Sequence, residues 1–131
     1  MVGFAGETDE EFKASADFVK EVGFAKCHIF VYSRRSGTVA AALKSQVEKV
    51  EKLKRAKIMR SVAEESEAEF LKSQIGLVFP VLFETGSDGF AVGFTPNYTK
   101  VLVKTDDHRT GEILDVKLTK ANTDFCYGEI V

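Results

Sequence analysis

The sequence predicts an α/β segment followed by an all-β barrel, and three observations carry that prediction. Strand, helix and strand patterns follow one another within Met1–Tyr32, the order of a βαβ unit with a right-handed crossover. A charge-rich helical stretch then occupies Thr38–Ser73. From Gln74 the texture changes to five short β-like runs separated by turn formers, the pattern of a small closed barrel. The domain boundary is placed at that change, giving 1–73 and 74–131.

Taken in order, Met1–Phe4 reads as the tail of a buried strand, broken by Gly3-Phe4-Ala5-Gly6-Glu7. Thr8-Asp9-Glu10-Glu11 is a capping box, with Thr8 as N-cap and Glu11 three residues on. The helix it starts should run to about Val22, with Phe12, Ala16, Val19 and Val22 on its apolar side. Gly23 is placed to end it as a left-handed residue. Lys26–Tyr32 is apolar on both faces, as suits a parallel strand covered on both sides. It runs into the polar loop Ser33–Thr38, at the carboxyl end of a strand, where α/β proteins place ligands. The helical region from Thr38, with a break around Ser45, has an apolar seam of Val47, Val50, Leu53, Ala56, Met59 and Ala63, extended by Phe70 and Leu71. Its charges are segregated: Lys44–Arg60 is basic and Glu64–Glu69 acidic. That order opposes the helix dipole and describes either a solvated face or an RNA- or partner-binding stripe.

The β-like runs are Ile75–Glu84, Gly89–Thr95, Tyr98–Thr105, Gly111–Ala121 and Phe125–Val131. Thr85-Gly86-Ser87-Asp88, Pro96-Asn97 and Asp106–Thr110 between them are rich in turn residues. Five closely spaced antiparallel strands predict a five-stranded OB-like barrel. Pro80 inside the first run requires an edge or a bulge there.

Composition bounds the function. Hydrophobic residues at 44% and charged residues at 29% of 131 describe a globular chain of one ordinary domain or two small ones. A formal charge of −2 supplies no global attraction to nucleic acid, so any RNA contact must rest on local patches. Neither a signal peptide nor a membrane-spanning run is present in the sequence, which reads as cytoplasmic. Cys27 and Cys126 stand far apart in strand-like runs and read as two small buried residues rather than a disulfide or ligand pair. His28 and His108 have no partners at metal-ligand spacing. No catalytic residue and no metal ligand is assigned.

Some of these residues also resemble a known family. Gly3-Phe4-Ala5-Gly6-Glu7-Thr8, Phe18-Val19-Lys20-Glu21-Val22-Gly23-Phe24 and His28–Ala41 (HIFVYSRRSGTVAA) resemble the last third of a radical-SAM methylthiotransferase core. The β-rich end, including Phe94-Thr95-Pro96-Asn97-Tyr98-Thr99-Lys100-Val101, is similar to the TRAM domain that follows it. The resemblance implies that 1–73 is part of a radical-SAM barrel (βαβα) and 74–131 an RNA-binding TRAM barrel. It also implies a carboxyl-terminal piece of a longer tRNA-modifying enzyme that inserts a methylthio group at carbon 2 of an adenine beside the anticodon. Tyr32–Thr38 and Gly93–Tyr98 look most like the branch acting on threonylcarbamoyladenosine. The isopentenyladenosine branch ranks second, and the branch that modifies a ribosomal-protein aspartate third.

In that family S-adenosylmethionine and two four-iron clusters carry the reaction. The cysteine motif is missing here, so neither cofactor nor catalysis is expected of this chain alone. Ala5, Val31 and Val39 stand where the family generally has proline.

By the resemblance, Gly3, Phe4, Gly6, Glu7, Tyr32, Ser33 and Arg35 lie beside the S-adenosylmethionine pocket. The bare sequence equally allows a tight turn with Glu7 near a helix start, and an arginine of the Ser33–Thr38 loop that ties the loop down. In the barrel, Phe94, Asn97 and Tyr98 are the RNA-facing candidates, with Lys100, Lys104 and Lys117 on phosphates. Tyr127 and Lys120 are further possibilities, and Phe94 with one tyrosine is expected in the core. Gln74–Val131 holds five Lys/Arg against eight Asp/Glu, which predicts weak, salt-sensitive affinity unless the bases share one face. The expected partner is a tRNA anticodon stem-loop, with no membrane. A stand-alone RNA-binding module is the alternative, and open strand edges predict association between copies.

Overall fold

The structure, a computed structural model, describes every residue except His108, so the metal reading of that histidine lies outside the described residues. Contacts divide the chain into two compact units, Met1–Ser66 and Glu67–Val131. The division falls inside a helix, because the last turns of that helix supply Phe70 and Leu71 to the barrel core.

In the first unit, α1 spans Asp9–Val22. Thr8 caps it through the reciprocal pair expected, with its hydroxyl accepting from the Glu11 N–H and Glu11 accepting from the Thr8 N–H at 2.9 Å. Gly23 ends it at φ 67°, its N–H donating to the Val19 carbonyl at 3.2 Å, a conformation that costs glycine little. The flanking strands are slighter than the sequence suggests. Val2 and Val31 form one isolated parallel bridge, through Val2 N–H to Phe30 O and Tyr32 N–H to Val2 O, each 2.9 Å. Lys26–Tyr32 is well covered on one face, where Ile29 and Val31 pack with Val2, Phe12, Ala16, Ala56 and Met59; on the other Phe30 is exposed and Tyr32 alone is buried. Parallel strands acquire two covered faces from helices on both sides, and this unit supplies helices to one.

The second helical region is two helices, α2 (Val39–Ala42), capped by Thr38, and α3 (Lys49–Ser73). Only part of the expected seam is buried. Ala56, Met59, Ala63 and Leu71 are inside, but Val50 and Leu53 are exposed. The inward side of the first turns instead runs through Lys52, Arg55, Ala56 and Met59, a helical spacing in which two of the four residues are cationic.

The second unit is a closed five-stranded barrel of order β1-β2-β3-β5-β4, made of β1 (Val78–Ser87), β2 (Phe90–Phe94), β3 (Lys100–Lys104), β4 (Ile113–Ala121) and β5 (Cys126–Ile130). The pairs are antiparallel except for β3 with β5, which is parallel and corrects the all-antiparallel expectation. Closing a ring of five strands forces one such pair when the connections run up and down. Pro80 sits in the half of β1 that pairs only with β4, so its missing N–H interrupts no ladder. The bulge of β1 lies further on, between Phe83 and Thr85. Val81, Phe83, Ala91, Val101, Val103, Val116, Leu118 and Cys126 fill the interior with Leu71. Two strand glycines are fixed by packing: a Cβ on Gly93 would run into the Leu82 carbonyl oxygen, and one on Gly128 into a Val116 methyl. No helix among the described residues is long and apolar enough to cross a membrane.

Candidate nucleic-acid interface and the glycine-rich turn

The alternation of the barrel strands decides what faces outward. Ala91 and Gly93 point in, so Phe90, Val92 and Phe94 point out; Val101 and Val103 point in, so Lys100, Leu102 and Lys104 point out. Cross-strand register sets Phe90 opposite Lys104, Val92 opposite Leu102 and Phe94 opposite Lys100. The parallel pair then places Tyr127 opposite Leu102, and its ring lies 6.0 Å from Phe90 and 5.1 Å from Phe125. Phe94 is therefore half-buried on the outer face, which corrects its expected place in the core, and neither barrel tyrosine is interior. β2 and β3 carry two lysines and no carboxylate, so this part of the face is cationic on a barrel of net negative charge, with Glu129 of β5 and Glu84 of β1 at its borders. Lys117 is elsewhere: it lies on β4, opposite Glu129, and its charge is partly offset there.

The β2–β3 loop treats Asn97 and Tyr98 differently. Asn97 is occupied within the turn. Its Oδ1 accepts from Thr95 Oγ1 at 2.5 Å and Thr99 Oγ1 at 3.0 Å, and its Nδ2 donates to Gln74 Oε1 at 2.9 Å. Tyr98 closes the turn through its N–H to the Thr95 carbonyl at 2.9 Å. It does so at φ 63°, a left-handed conformation unusual for an aromatic residue, and 86% of it is exposed. Such a conformation costs about 1–3 kcal/mol and persists only where neighbours enforce it. Here Asn97, Thr95 and Thr99 do so. Beside Tyr98 lies a cavity of about 570 Å³ lined by Pro80, Leu82, Glu84, Phe94, Thr95, Pro96, Tyr98 and Ile113.

In the first unit, the turn Gly3–Glu7 is built around a residue the sequence reading left within a basic run. Arg55, 4% exposed, donates from Nη1 to Glu7 Oε1 at 2.7 Å and to the Glu7 carbonyl at 2.9 Å, and from Nη2 to Asp9 Oδ1 at 2.6 Å. Its Nε stands 3.4 Å from a Glu51 carboxylate oxygen. Burial works against the charge, but the hydrogen bonds donated to Glu7 and Asp9 and the attraction of their carboxylates outweigh it and hold the proton more firmly than usual. Glu7 also accepts from the Gly3 N–H at 3.0 Å, and the Gly6 N–H donates to the Ser45 carbonyl at 2.7 Å. Both glycines adopt positive φ, and a Cβ on Gly3 would meet the Lys52 side chain. Gly3, Gly6 and Glu7 thus turn their polar groups toward the protein. The signal that could have revealed Arg55 was its phase with Ala56 and Met59.

Phe4, Tyr32, Ser33 and Arg35 are arranged otherwise. Phe4 meets Tyr32 edge-on at 5.1 Å, and Lys52 Nζ stands 4.8 Å above the Tyr32 ring. Tyr32, Ser33 and Arg35 line a cavity of about 440 Å³ with Met1, Phe30, Val31, Thr38 and Ala40, and the Tyr32 hydroxyl is buried without a hydrogen-bond partner among the described residues. Arg34 is the arginine that ties the loop down, its Nε donating to the Ala41 carbonyl at 2.8 Å. With Arg55 buried and Lys52 held over Tyr32, two of the seven cations of the basic stripe Lys44–Arg60 are structural, and the other five are exposed.

Residues 72–131 match the TRAM domain model. Over its whole length the chain is 34% identical to threonylcarbamoyladenosine tRNA methylthiotransferase MtaB of Bacillus subtilis, covering 30% of that protein. Over 99% of its length it is 36% identical to tRNA-2-methylthio-N(6)-dimethylallyladenosine synthase of Orientia tsutsugamushi (strain Ikeda), again 30% of that protein. The synthase of the same name from Maricaulis maris is 35% identical and covered to 29%. The chain matches the TRAM-bearing carboxyl-terminal part of the tRNA methylthiotransferase family. It spans under a third of the length of the curated relatives it matches.

The ion-pair cluster of the first unit makes a stability prediction. Removing one partner of a buried pair strands the other, at a cost of about 3–5 kcal/mol. Arg55→Met should therefore destabilise the first unit by about that amount in denaturant titrations, and Arg55→Met with Glu7→Gln should recover part of the loss. Asp9→Asn, at an exposed carboxylate, should cost under about 1 kcal/mol. Equal losses for Arg55→Met and Asp9→Asn would contradict this ranking.

Proposed function

We propose that this chain is the RNA-docking part of a tRNA-modifying methylthiotransferase, in which the outer face of β2, β3 and β5 receives the anticodon stem-loop. The observation that carries this is the register that sets Phe94 opposite Lys100, Phe90 opposite Lys104 and Tyr127 opposite Leu102. Aromatic faces stack on splayed bases and flanking lysines meet phosphates. The methylthiotransferase relatives supply the substrate class. Within it, threonylcarbamoyladenosine is favoured by the form of Tyr32–Thr38 and Gly93–Tyr98.

S-adenosylmethionine, which supplies the radical and the methyl group of such reactions, would be held beside Phe4, Tyr32, Ser33 and Arg35. The Ser33 hydroxyl and the Arg35 fork, from residues that line that cavity, suit a polar nucleoside ligand. Gly3, Gly6 and Glu7 would shape the cavity from behind, with Arg55 as their anchor. The iron clusters do not fit this chain. Among the described residues no group of three His, Cys, Asp or Glu side chains is placed to hold a metal ion, and burial in the barrel core pushes the Cys126 thiol up, away from the thiolate a cluster needs.

Assembly is proposed on a simpler footing. Phe18, Phe30, Val39 and Val50 are exposed, and the Val2–Val31 pair is an isolated bridge outside any sheet. Association of copies through this region is expected, and a monomer by light scattering across a range of concentrations would contradict it.

Titrating a labelled anticodon stem-loop should give binding that weakens as salt rises. Lys100→Glu with Lys104→Glu should weaken it at least about tenfold at low salt and flatten the salt dependence by about two phosphate contacts. Lys117→Glu should change it far less. A double variant that binds like the unmodified chain would overturn the assignment of this face.

A further inference from the structure

We propose that the cavity between Tyr98, Phe94 and the bulge of β1 is a pocket for one unstacked nucleobase, and that Glu84 makes it selective for guanine. This rests on the RNA-docking reading above and gives it a sequence preference. Three features converge. Tyr98 is held in a left-handed conformation by its neighbours, with its ring almost wholly in solvent. Exposing an aromatic ring at the expense of backbone strain favours a ring that has something to stack on. Pro80, Leu82, Phe94, Pro96 and Ile113 give the cavity the flat apolar walls that a base requires. Its volume of about 570 Å³ holds a base with room to spare.

Glu84 is the polar group. It lies where the β1 ladder skips between Phe83 and Thr85, and bulges re-aim the side chain they carry. Its side chain is exposed, makes no hydrogen bond or ion pair among the described residues, and borders the cavity. A lone carboxylate beside an RNA face repels phosphate, so it suits that place only if it meets donors. Lys100, opposite Phe94, is placed to take the neighbouring phosphate. An ionised carboxylate accepts only. Guanine presents two donors side by side, N1–H and the 2-amino group, to its two oxygens. Adenine and cytosine offer an amino group beside an acceptor nitrogen, and uracil offers one N–H between two carbonyls that the carboxylate repels. The expected order is guanine first, adenine and cytosine next, uracil last.

The test uses the full chain with single-stranded RNA heptamers, one all-uridine and one carrying a single central guanosine, read by fluorescence anisotropy at low salt. The guanosine heptamer should bind about tenfold more tightly, within the range of one bidentate contact. Glu84→Gln should bring the two within about twofold without weakening the all-uridine heptamer, and Tyr98→Ala should weaken both. Equal binding of the two heptamers by the unmodified chain, or a guanosine preference that survives Glu84→Gln, would overturn the proposal. If the anticodon stem-loop still binds through Lys100 and Lys104 in that case, only the pocket falls. If neither heptamers nor stem-loop bind, the docking reading falls with it.

Discussion

A three-residue parallel pairing holds the aromatic outer face of the barrel together. Val101, Leu102 and Val103 of β3 run beside Cys126, Tyr127 and Gly128 of β5, and this contact closes the ring. It sends Val101, Val103 and Cys126 inward, where they are essentially buried, and leaves Leu102 and Tyr127 outside as neighbours. Gly128 makes the approach possible, since a Cβ there would meet methyl groups of both Val116 and Val101. Without this pairing Tyr127 would not stand beside Phe90, and the aromatic surface between Lys100 and Lys104 would end at β3.

Charge is handled differently in the two units. In the first, a cation is buried: Arg55 takes up Glu7, Asp9 and Glu51 and fixes the glycine-rich turn. Such a site is rigid at its centre, because separating Arg55 from Glu7 strands a desolvated charge. In the barrel, Lys100 and Lys104 stand on the outer face across from Phe94 and Phe90, half-buried and exposed respectively. The same residue class therefore builds a turn in one unit and a surface in the other, and burial tells the two uses apart.

Much of this was legible in the sequence. The capping box at Thr8 and Glu11, the stop at Gly23, the break between α2 and α3 and the five β runs all rest on local chemistry that one chain segment can express. What was not legible depends on partners distant in sequence. Lys26–Tyr32 has the composition of a strand covered twice, but the number of covering helices is a tertiary fact. The parallel β3–β5 pair is invisible until the barrel closes. Arg55 sits in phase with Ala56 and Met59, yet in a run of lysines its charge reads as solvated until Glu7 is brought to it. Asn97 and Tyr98 are adjacent and similar as candidates, and only the turn geometry separates the one spent on Thr95, Thr99 and Gln74 from the one turned outward.

The most direct measurement is a chemical-shift map of the isotope-labelled chain during titration with an anticodon stem-loop. Docking on β2, β3 and β5 predicts the largest and earliest changes at Phe90, Phe94, Lys100, Leu102, Lys104 and Tyr127, with Lys117 little affected. Changes concentrated on Lys44–Arg60 of the first unit, with the outer face of β2 and β3 silent, would contradict it.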